Sequence, residues 1–334
     1  MLTLGIESSC DDTAAAVLKD TDTLLSSLLT SQDLIHTRFG GVVPELASRS
    51  HLEAIVPVVN EALIRADIRL QDIDLIAVTR GPGLIGSLLV GFSYAKALSC
   101  VTGIPLVGVD HMAGHILSVF LEDKHPEFPF ISLVVSGGTS SIYRADSFTS
   151  FTLLGRTRDD AAGEAFDKVG KLLGFPYPGG PIISREAESG NANAIKFPRS
   201  WLEKESLDFS FSGLKTSVLN HCNREKQKNS PLQIDDICAS FQEACIEVLV
   251  EKTLLAATLE NVNSIVLGGG VSSNPRLRQF MKQRCAEEDK KLYIPRPSYC
   301  TDNAAMIALA GVHSQVKDSS LSLDSDVYCR SALA

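Results

Sequence analysis

The chain opens with Leu2-Thr3-Leu4-Gly5-Ile6-Glu7-Ser8-Ser9-Cys10-Asp11-Asp12-Thr13-Ala14-Ala15-Ala16-Val17-Leu18. Leu2–Glu7 is mainly apolar and predicts a short strand, and Ala14–Leu18 predicts a second strand that returns beside it. Between them, Ser8–Thr13 forms a polar turn whose hydroxyl and backbone N–H groups can bind phosphate oxygens. A plain hairpin tip has the same pattern, so this stretch alone leaves both interpretations open.

A second copy of the pattern begins at Phe130. Phe130-Ile131-Ser132-Leu133-Val134-Val135 is an apolar run, Ser136–Ser141 is a turn of small and hydroxyl-bearing residues, and Ile142-Tyr143-Arg144 leads out of it. A strand–turn–strand phosphate loop at the start of each half is typical of a duplicated actin-like ATPase fold, and the repeat carries more weight than either turn alone. A chance pair of hairpins is the alternative. We therefore predict an α/β protein with two similar lobes around a nucleotide cleft.

A glycine-rich loop farther along the chain fits this fold. The predicted strand Ser264–Leu267 runs into Gly268-Gly269-Gly270-Val271-Ser272-Ser273-Asn274, and a helix is predicted from Pro275. Three glycines before a helix N-terminus allow a flat ligand such as adenine to lie on the backbone, and the helix start favours a bound anion. One such loop is a weak signal, but here it follows two phosphate-type turns.

Two histidines form a second group of candidate residues. Asp110-His111-Met112-Ala113-Gly114-His115 follows a predicted strand, and Asp110 is a candidate helix N-cap. His111 and His115 are four residues apart, so their imidazoles share one helix face and can hold a single ion. Asp302, in a polar turn before a late apolar helix, is a candidate third ligand; such a set leaves open metal positions, which suits catalysis. On spacing alone, a pair of histidines satisfied by backbone groups is the alternative.

The length of the chain also predicts two lobes. At 334 residues it exceeds the size at which one hydrophobic core keeps growing. We expect residues 1–115, completed by a C-terminal helix over 303–334, to form the first lobe, and residues 116–302 to form the second, which carries the glycine-rich loop.

Composition and charge limit the classes of function. The net charge of −9 argues against a general nucleic-acid coat. The eight cysteines form no C-x-x-C pair, which is typical of reduced cytosolic thiols. Early carboxylates interrupt any signal-peptide core, and no apolar run approaches 18 residues, so we expect a soluble, cytoplasmic protein that does not enter a membrane.

Two local patterns predict solvated segments. A helix is expected over Glu45–Ala66, with a kink or break at Pro57 and with its charged residues and His51 on a solvated face. Residues 220–230 carry several basic and few apolar side chains and predict a solvated loop.

Long motifs spread over most of the chain carry a family resemblance: Gly5–Thr13, Gly40–Arg49, Gly81–Leu84, His111–His115, Val135–Gly138, Asp159–Lys168, Asp208–Lys215, Gly268–Asn274 and Cys300–Asn303. Together they resemble the bacterial TsaD family, the tRNA N6-adenosine threonylcarbamoyltransferases. The resemblance covers roughly residues 1–313. It implies an actin-like fold of the ASKHA type with two lobes, in agreement with the repeat.

The resemblance also implies a site. His111, His115 and Asp302 would bind one divalent metal ion, iron or zinc. The residues that would hold threonylcarbamoyl-AMP are Val134, Val135, Ser136, Gly137, Gly138, Asp167, Gly180 and Asn274.

The chain departs from the family pattern in three places. The family usually has Glu at the position of Ala113 and His-Thr at the positions of Thr139-Ser140. The last twenty or so residues also lack the family's basic, proline-containing ending. The first departure leaves the metal ligands intact but puts a supporting role at that position in doubt, and the second can alter contacts to the carbamoyl end of the ligand.

The reaction implied is transfer of the threonylcarbamoyl group to N6 of the adenosine next to the anticodon, in tRNAs that read codons beginning with adenine, with release of AMP. An aromatic amine is a poor nucleophile, so positioning and charge stabilisation must supply most of the rate. Asp11, in the first polar turn, is a candidate proton acceptor. The family acts with a TsaB-like paralogue and a TsaE-like ATPase, and we expect tRNA binding to rely on local patches and on these partners.

Other classes of function differ in what they require. An actin-like ATPase or kinase would share the phosphate turns but has no need for a His-His-Asp metal site. A zinc peptidase with histidines four residues apart places Glu directly after the first, where this chain has Met112. A scaffold without catalytic activity would not need both the metal and the nucleotide residues.

Overall fold

The structure is a computed structural model, and it describes residues 1–203, 206–315, 324–331 and 333. The chain divides into two compact units. Unit 1 comprises Met1–His125, Asp146–Thr152 and Pro295–Ala334, and unit 2 comprises Pro126–Ala145 and Leu153–Ile294. The lobe boundaries expected from the sequence, after residues 115 and 302, stay a prediction. The C-terminal helix expected over 303–334 was wrong in extent, because the last helix is Ala304–Gln315 and the described residues 324–331 are not helical.

The strands are β1 (Leu2–Glu7), β2 (Asp12–Lys19), β3 (Thr23–Ser31), β4 (Leu75–Gly81), β5 (Leu106–Asp110), β6 (Phe130–Val135), β7 (Ser140–Ser147), β8 (Ser150–Arg156), β9 (Ser264–Gly268) and β10 (Lys291–Tyr293). The helices are α1 (Asp33–His36), α2 (Pro44–Ala66), α3 (Ile85–Thr102), α4 (His111–Leu117), α5 (Ala162–Leu173), α6 (Gly179–Glu186), α7 (Ser212–Gln227), α8 (Ile234–Leu259), α9 (Pro275–Glu287), α10 (Pro297–Cys300) and α11 (Ala304–Gln315). Short 3-10 helices span Thr37–Phe39, Leu70–Asp72, Ser118–Leu121 and Gly270–Ser273.

The sheet of unit 1 has the strand order β3-β2-β1-β4-β5. β2 runs antiparallel to β1 and β3, whereas β4 is parallel to β1 and β5 is parallel to β4. Ala15 and Val17 of β2 pack into the core with residues of α2 and α3, while Ala14 and Ala16 pack with the first residues of α11. Because successive side chains of a strand point to opposite faces, the apolar run is explained by helices on both faces of the sheet.

Small residues let α11 lie close to the sheet. A Cβ atom on Gly5 would collide with the backbone oxygen of Ala304, and a Cβ atom on Gly311 would collide with Ala77. Glycine at these positions therefore allows α11 to lie close to β1 and β4.

The sheet of unit 2 has the order β10-β9-β6-β7-β8. β6 runs antiparallel to β7 and parallel to β9, and β9 is parallel to β10. In both sheets a polar turn joins an antiparallel pair of strands, as the repeated strand–turn–strand pattern predicts. Two further strands run parallel to the first strand of each pair. The long helix α8 lies in the core of unit 2, where Cys238 and Cys245 are fully buried.

Two local predictions were wrong. α2 continues through Pro57 without the expected break, and a kink there stays a prediction. Pro57 is exposed, as is Glu53 one turn earlier, so the missing helical hydrogen bond lies on a solvent-exposed side of the helix. Residues 220–227 continue α7, whose Leu214, Val218 and Cys222 recur every four residues on its buried face. The basic residues of this stretch therefore belong to a helix and not to a loop.

The expectation that no apolar run approaches 18 residues was wrong for α3. Among the described residues, α3 is the one helix that is long and apolar enough to cross a membrane by length and composition alone. Core helices pass the same test, and α3 packs on β4 and α2 with Leu88, Phe92 and Ala95 buried.

Replacing Gly5 by alanine should destabilise unit 1, because the added methyl group meets the backbone of α11. We expect a loss of about 1–3 kcal/mol in the free energy of unfolding, as for other overpacked cores. Gly213→Ala is the matched control, because Gly213 is an exposed residue of α7 and the new Cβ would have no atom within 4 Å. Helix propensity predicts equal or higher stability for this variant. Urea unfolding of both variants measures this, and equal stabilities would contradict the close approach.

Candidate functional site

Three parallel strands of unit 1 end at one edge of its sheet. β1 pairs with β4 and β4 with β5, so Glu7, Gly81 and Asp110 mark the carboxyl ends of neighbouring strands. Ligand sites of α/β sheets are built at such edges, because polar groups from several strand ends meet there. The candidate metal ligands lie close to these strand ends.

The two histidines lie on α4, which starts directly after β5. Asp110 is the N-cap of this helix, and its Oδ1 accepts a hydrogen bond of 2.9 Å from the N–H of Met112. All seven residues of α4 are buried. The rings of His111 and His115 are in edge-to-face contact, with centroids 4.6 Å apart and planes at 86°.

Asp302 joins the histidines from the turn between α10 and α11. The amide of Asn303 holds this turn, donating to the carbonyl of Thr301 and accepting from the first turn of α11. Asp302 Oδ1 lies 3.2 Å from His115 Nε2 and 3.4 Å from His111 Nε2. The ligand atoms of all three residues lie within 4.8 Å of one another, so the group can hold one metal ion.

Backbone groups do not satisfy the two histidines in the part of the chain that the structure describes. His111 Nδ1 lies 2.8 Å from the carboxylate of Glu7 and 3.3 Å from the hydroxyl of Ser9. His115 Nδ1 is buried and has no hydrogen-bond partner among the described residues. The alternative of a backbone-satisfied pair therefore does not describe this site.

Glu7 is a site residue that sequence reasoning missed. Its carboxylate is fully buried at the end of β1, where it accepts hydrogen bonds from Ser9 N–H, Thr79 Oγ1 and the His111 ring. A single acid at the end of an otherwise apolar buried strand was the available signal, because a buried carboxylate needs partners.

The charges of these residues depend on one another. Burial by itself lowers the pKa of an imidazole, but the carboxylates of Glu7 and Asp302 outweigh it and raise the pKa of His111 well above its usual value. Burial lowers the pKa of His115. Burial also opposes ionisation of Asp302, yet His111 and His115 hold the pKa of its carboxyl group far below the usual range. Two carboxylates around His111 therefore give the site negative charge that a cation can balance.

Asp11 lies in unit 1 in the turn before β2, and Asp12 is the first residue of β2. Burial raises the pKa of Asp11; a hydrogen bond with Cys10 opposes the shift and the charge of Asp302 adds to it. Burial and the charges of Asp302 and Asp11 raise the pKa of Asp12 to about 7. Both carboxyl groups are thus better proton acceptors than exposed aspartates.

His51 fixes the same turn and was expected on a solvated face. It is fully buried, and its Nδ1 lies 2.7 Å from the hydroxyl of Thr13 while its Nε2 lies 3.0 Å from the carbonyl oxygen of Cys10. The prediction of a solvated His51 was wrong because its partners lie about 40 positions away, where the helix pattern gives no information.

The residues predicted to hold the adenylate all belong to unit 2, and two of their loops leave one edge of its sheet. Val134 and Val135 are buried at the end of β6, and Val134 pairs with Gly268 at the end of parallel β9. Gly269 has φ +82°, and a Cβ atom there would collide with the Val135 carbonyl. Only glycine allows this close approach of the two loops.

The loop Ser136–Gly138 is packed on one side and open on another. A Cβ atom on Gly163 of α5 would lie 2.5 Å from the carbonyl oxygen of Ser136, so the helix start contacts the loop backbone directly. Cβ atoms on Gly137 or Gly138 would meet nothing within 4 Å. The loop can therefore present its backbone to a ligand.

Asp167 connects α5 with the turn that begins α6. Its Oδ1 accepts hydrogen bonds from the N–H groups of Gly179 and Gly180, at 2.8 and 3.4 Å. One turn farther along α5, a Cβ atom on Gly170 would lie 2.9 Å from the Cα of Gly179. One face of α5 thus supports both the loop 136–138 and the turn 179–180.

Asn274 ends the glycine-rich loop as the N-cap of α9. Its Oδ1 accepts a hydrogen bond of 3.0 Å from Leu277 N–H, and its Nδ2 donates one of 2.7 Å to Gln242 Oε1. The side chain therefore fixes the loop to α8 and α9.

Two of the departures from the family pattern have local structural roles. Ser140 Oγ accepts a hydrogen bond of 2.9 Å from Ala162 N–H at the start of α5, and the carbonyl of Thr139 accepts one of 2.8 Å from Ser136 N–H. In unit 1, the C-terminal residues Tyr328 and Ser331 each donate to Asp110 Oδ2 at 2.9 Å.

The sequence is similar to known proteins over most of its length. The sequence model of one family, TsaD: tRNA N6-adenosine threonylcarbamoyltransferase, matches residues 23–309. A protein of that name from Desulfotalea psychrophila is 59% identical over 100% of this chain and 98% of its own length. Another, from Syntrophus aciditrophicus, is 56% identical over 93% of this chain and 91% of its own length.

Solved structures share the fold at low identity. HypF of T. kodakarensis superposes with a TM-score of 0.64 at 15% identity, covering 94% of this chain and 48% of that one. Component A of (R)-2-hydroxyglutaryl-CoA dehydratase from Acidaminococcus fermentans gives 0.54 at 15% identity, covering 95% and 100%. These likenesses confirm the predicted actin-like ATPase (ASKHA) fold.

The raised pKa of Asp12 predicts a pH dependence of stability. The folded protein keeps a proton on Asp12 up to about pH 7, whereas the unfolded chain releases it near pH 4. The unfolded state therefore binds fewer protons in this window, and the free energy of unfolding should fall as the pH rises from about 4 to 7. Chemical unfolding of metal-free protein across this window should show a smaller fall for Asp12→Asn. Parallel curves for variant and wild type would contradict the shift.

Proposed function

The chain belongs to the TsaD family of tRNA N6-adenosine threonylcarbamoyltransferases, and we propose that for this acyl transfer unit 1 binds a metal ion and unit 2 binds the adenylate. The chain is accordingly an acyltransferase that modifies tRNA. The observation that carries the assignment is the match over most of the chain to the family and to relatives of that name.

The proposed substrate is threonylcarbamoyl-AMP. The N6 amine of the adenosine next to the anticodon, in tRNAs that read codons beginning with adenine, attacks the carbamoyl carbon. A bond forms between N6 and this carbon, the bond from the carbon to the phosphate oxygen breaks, and AMP leaves with the electron pair. One proton of the amine must be accepted. The chain's residues then have three tasks, which are holding the adenylate, placing the carbonyl group and taking the proton.

We assign the metal to His111, His115 and Asp302 in unit 1. The donor set fits a divalent ion, because the Nε2 atoms of two imidazoles and one carboxylate oxygen converge. Imidazole and carboxylate ligands suit iron or zinc, which this donor set does not separate. When bound, such an ion supplies Lewis-acid polarisation and a template for the carbonyl or phosphate oxygen.

We assign the proton acceptor to Asp11. Burial raises the pKa of its carboxyl group, and a base works best when its pKa approaches the working pH. Asp12, beside it, has the larger shift and is the second candidate for the same task.

We assign the adenylate to unit 2. Val134 and Val135 would place the loop Ser136–Gly138 at the end of β6, and the backbone N–H groups of Gly137 and Gly138 would bind the phosphate, since the space above both glycines is open. Asn274 keeps the glycine-rich loop at the N-terminus of α9, where an anion is favoured. Asp167 would act together with Gly180, whose N–H it already holds.

The partners and location remain part of the proposal. The family name implies tRNA as the substrate. With a net charge of −9 the chain needs local basic patches or other subunits for tight tRNA binding, so we propose a TsaB-like paralogue and a TsaE-like ATPase as partners, in the cytoplasm.

The decisive experiment supplies threonylcarbamoyl-AMP, tRNA and the two partner proteins and measures the modified nucleoside. His111→Ala should reduce product formation by about 100-fold or more, since even residues that support a metal ligand cost 10–100-fold. His125→Ala removes an exposed histidine of unit 1 and should keep full activity. Unchanged activity of His111→Ala would refute the metal role, and peptide release without tRNA would favour a peptidase instead.

The net charge also predicts how the purified chain binds tRNA. Without partners, we expect weak binding that falls steeply between 50 and 200 mM salt, because phosphate contacts of basic side chains release counterions. Addition of both partners should raise the affinity. Filter binding or fluorescence anisotropy measures this, and tight binding by the chain alone that ignores salt would contradict the requirement for partners.

A further inference from the structure

We propose that Glu7 is a positioning residue that sets the tautomer of His111: it holds the ring proton on Nδ1 and so leaves Nε2 to bind the metal. The inference rests on the proposed metal role of His111, His115 and Asp302. It assigns to a fully buried carboxylate a task that neither the family motif nor the spacing of the ligands indicates.

The first step is the arrangement around the His111 ring. Glu7 Oε2 lies 2.8 Å from Nδ1, and on the other side of the ring Asp302 Oδ1 lies 3.4 Å from Nε2. An ionised carboxylate only accepts hydrogen bonds, so Nδ1 must carry a proton toward Glu7. In the neutral ring the lone pair is then on Nε2, the atom that faces Asp302 and His115.

The second step is that Glu7 cannot turn away. Its Oε1 accepts the backbone N–H of Ser9 at 2.5 Å, and its Oε2 accepts the hydroxyl of Thr79 at 2.6 Å. Both groups lie at or beside the carboxyl ends of parallel strands, and the carboxylate is 0% exposed. The side chain is therefore held from both oxygens, and its orientation toward His111 is fixed by the sheet.

The third step follows from replacing Glu7 by glutamine, which has nearly the same shape. The backbone N–H of Ser9 is a fixed donor, so the amide oxygen must stay at the Oε1 position and the NH2 group falls at the Oε2 position. The NH2 group then faces His111 Nδ1, and two donors cannot share one hydrogen bond. Nδ1 becomes the acceptor and the ring proton moves to Nε2, where it blocks the metal.

His115 gives a contrast within the same protein. Its Nδ1 has no hydrogen-bond partner among the described residues, and the carboxylate that faces its ring is Asp302, at Nε2, and not Glu7. The effect of Glu7→Gln should therefore fall on the ring of His111 and leave the ring of His115 unchanged.

The test measures zinc affinity and the ring proton separately. Zinc affinity is determined by competition with a chromophoric chelator, and Glu7→Gln should bind 10–100-fold more weakly than wild type, the loss found for residues that orient metal ligands. Long-range 1H–15N correlations of zinc-free protein, at an alkaline pH where the imidazoles are neutral, should place the His111 proton on Nδ1 in wild type and on Nε2 in Glu7→Gln.

Thr79→Val is the matched control. It removes the other side-chain hydrogen bond of Glu7 Oε2 but keeps the carboxylate that faces His111. A purely structural role of Glu7 would make both variants lose affinity together without a change of tautomer. We expect Thr79→Val to keep the wild-type tautomer and to bind zinc within a few-fold of wild type.

The outcomes separate this inference from the proposed function. Glu7→Gln that binds zinc as tightly as wild type, or that keeps the proton on Nδ1, overturns the role of Glu7 while the metal site stands. Wild-type protein that binds zinc no better than His111→Ala overturns the metal role instead. Should Glu7→Gln fail to fold, zinc-loaded wild type decides: zinc on Nε2 with the proton on Nδ1 supports the inference, and zinc on Nδ1 overturns it.

Discussion

The parallel pairing of β1 with β4 and of β4 with β5 is the constraint on which the candidate metal ligands of unit 1 depend. It brings three carboxyl ends to one edge, so that an acid from β1, a hydroxyl from β4 and the helix after β5 meet. The same rule places two loops of unit 2 together, since β6 and β9 are parallel neighbours. The chemistry of each unit therefore sits where backbone pairing leaves polar groups side by side.

A buried carboxylate changes what the histidine pair can do. Without carboxylates nearby, two imidazoles in a buried helix would be neutral, because burial disfavours their charged form. Neither ring nitrogen would then be fixed as the one that carries the proton. With Glu7 on one side and Asp302 on the other, His111 has a defined donor atom and a defined acceptor direction. Asp302 also completes the group of three side chains that can hold an ion. The Asp302 carboxylate therefore affects both the protonation of the histidines and the ability of the group to bind a metal ion.

The sequence predicts local features well and distant partners poorly. The α/β class, the two strand–turn–strand repeats and the start of α9 at Pro275 follow from short patterns of apolar and small residues. The face shared by His111 and His115 follows from helical spacing alone. Glu7 and His51 were missed because their partners lie 104 and 38–41 positions away, and no local period encodes such distances. The stretch 220–227 was assigned to a loop because its polar residues outnumber the apolar ones that hold α7 in place.

The three departures from the family pattern replace none of the candidate ligand-binding residues. Ala113 lies in the buried α4 between the two histidines, but neither ring depends on it for a hydrogen bond in the described structure. Ser140 uses its hydroxyl to hold the start of α5, the helix that carries Gly163 and Asp167. The C-terminal residues Tyr328 and Ser331 contact the candidate metal site through Asp110, whose other oxygen caps α4, and Tyr328 also packs against Gly81 at the end of β4. Substitutions that preserve strand pairing and helix caps leave the ligand atoms in place, because in both units the site is held by the backbone to which those caps are bound.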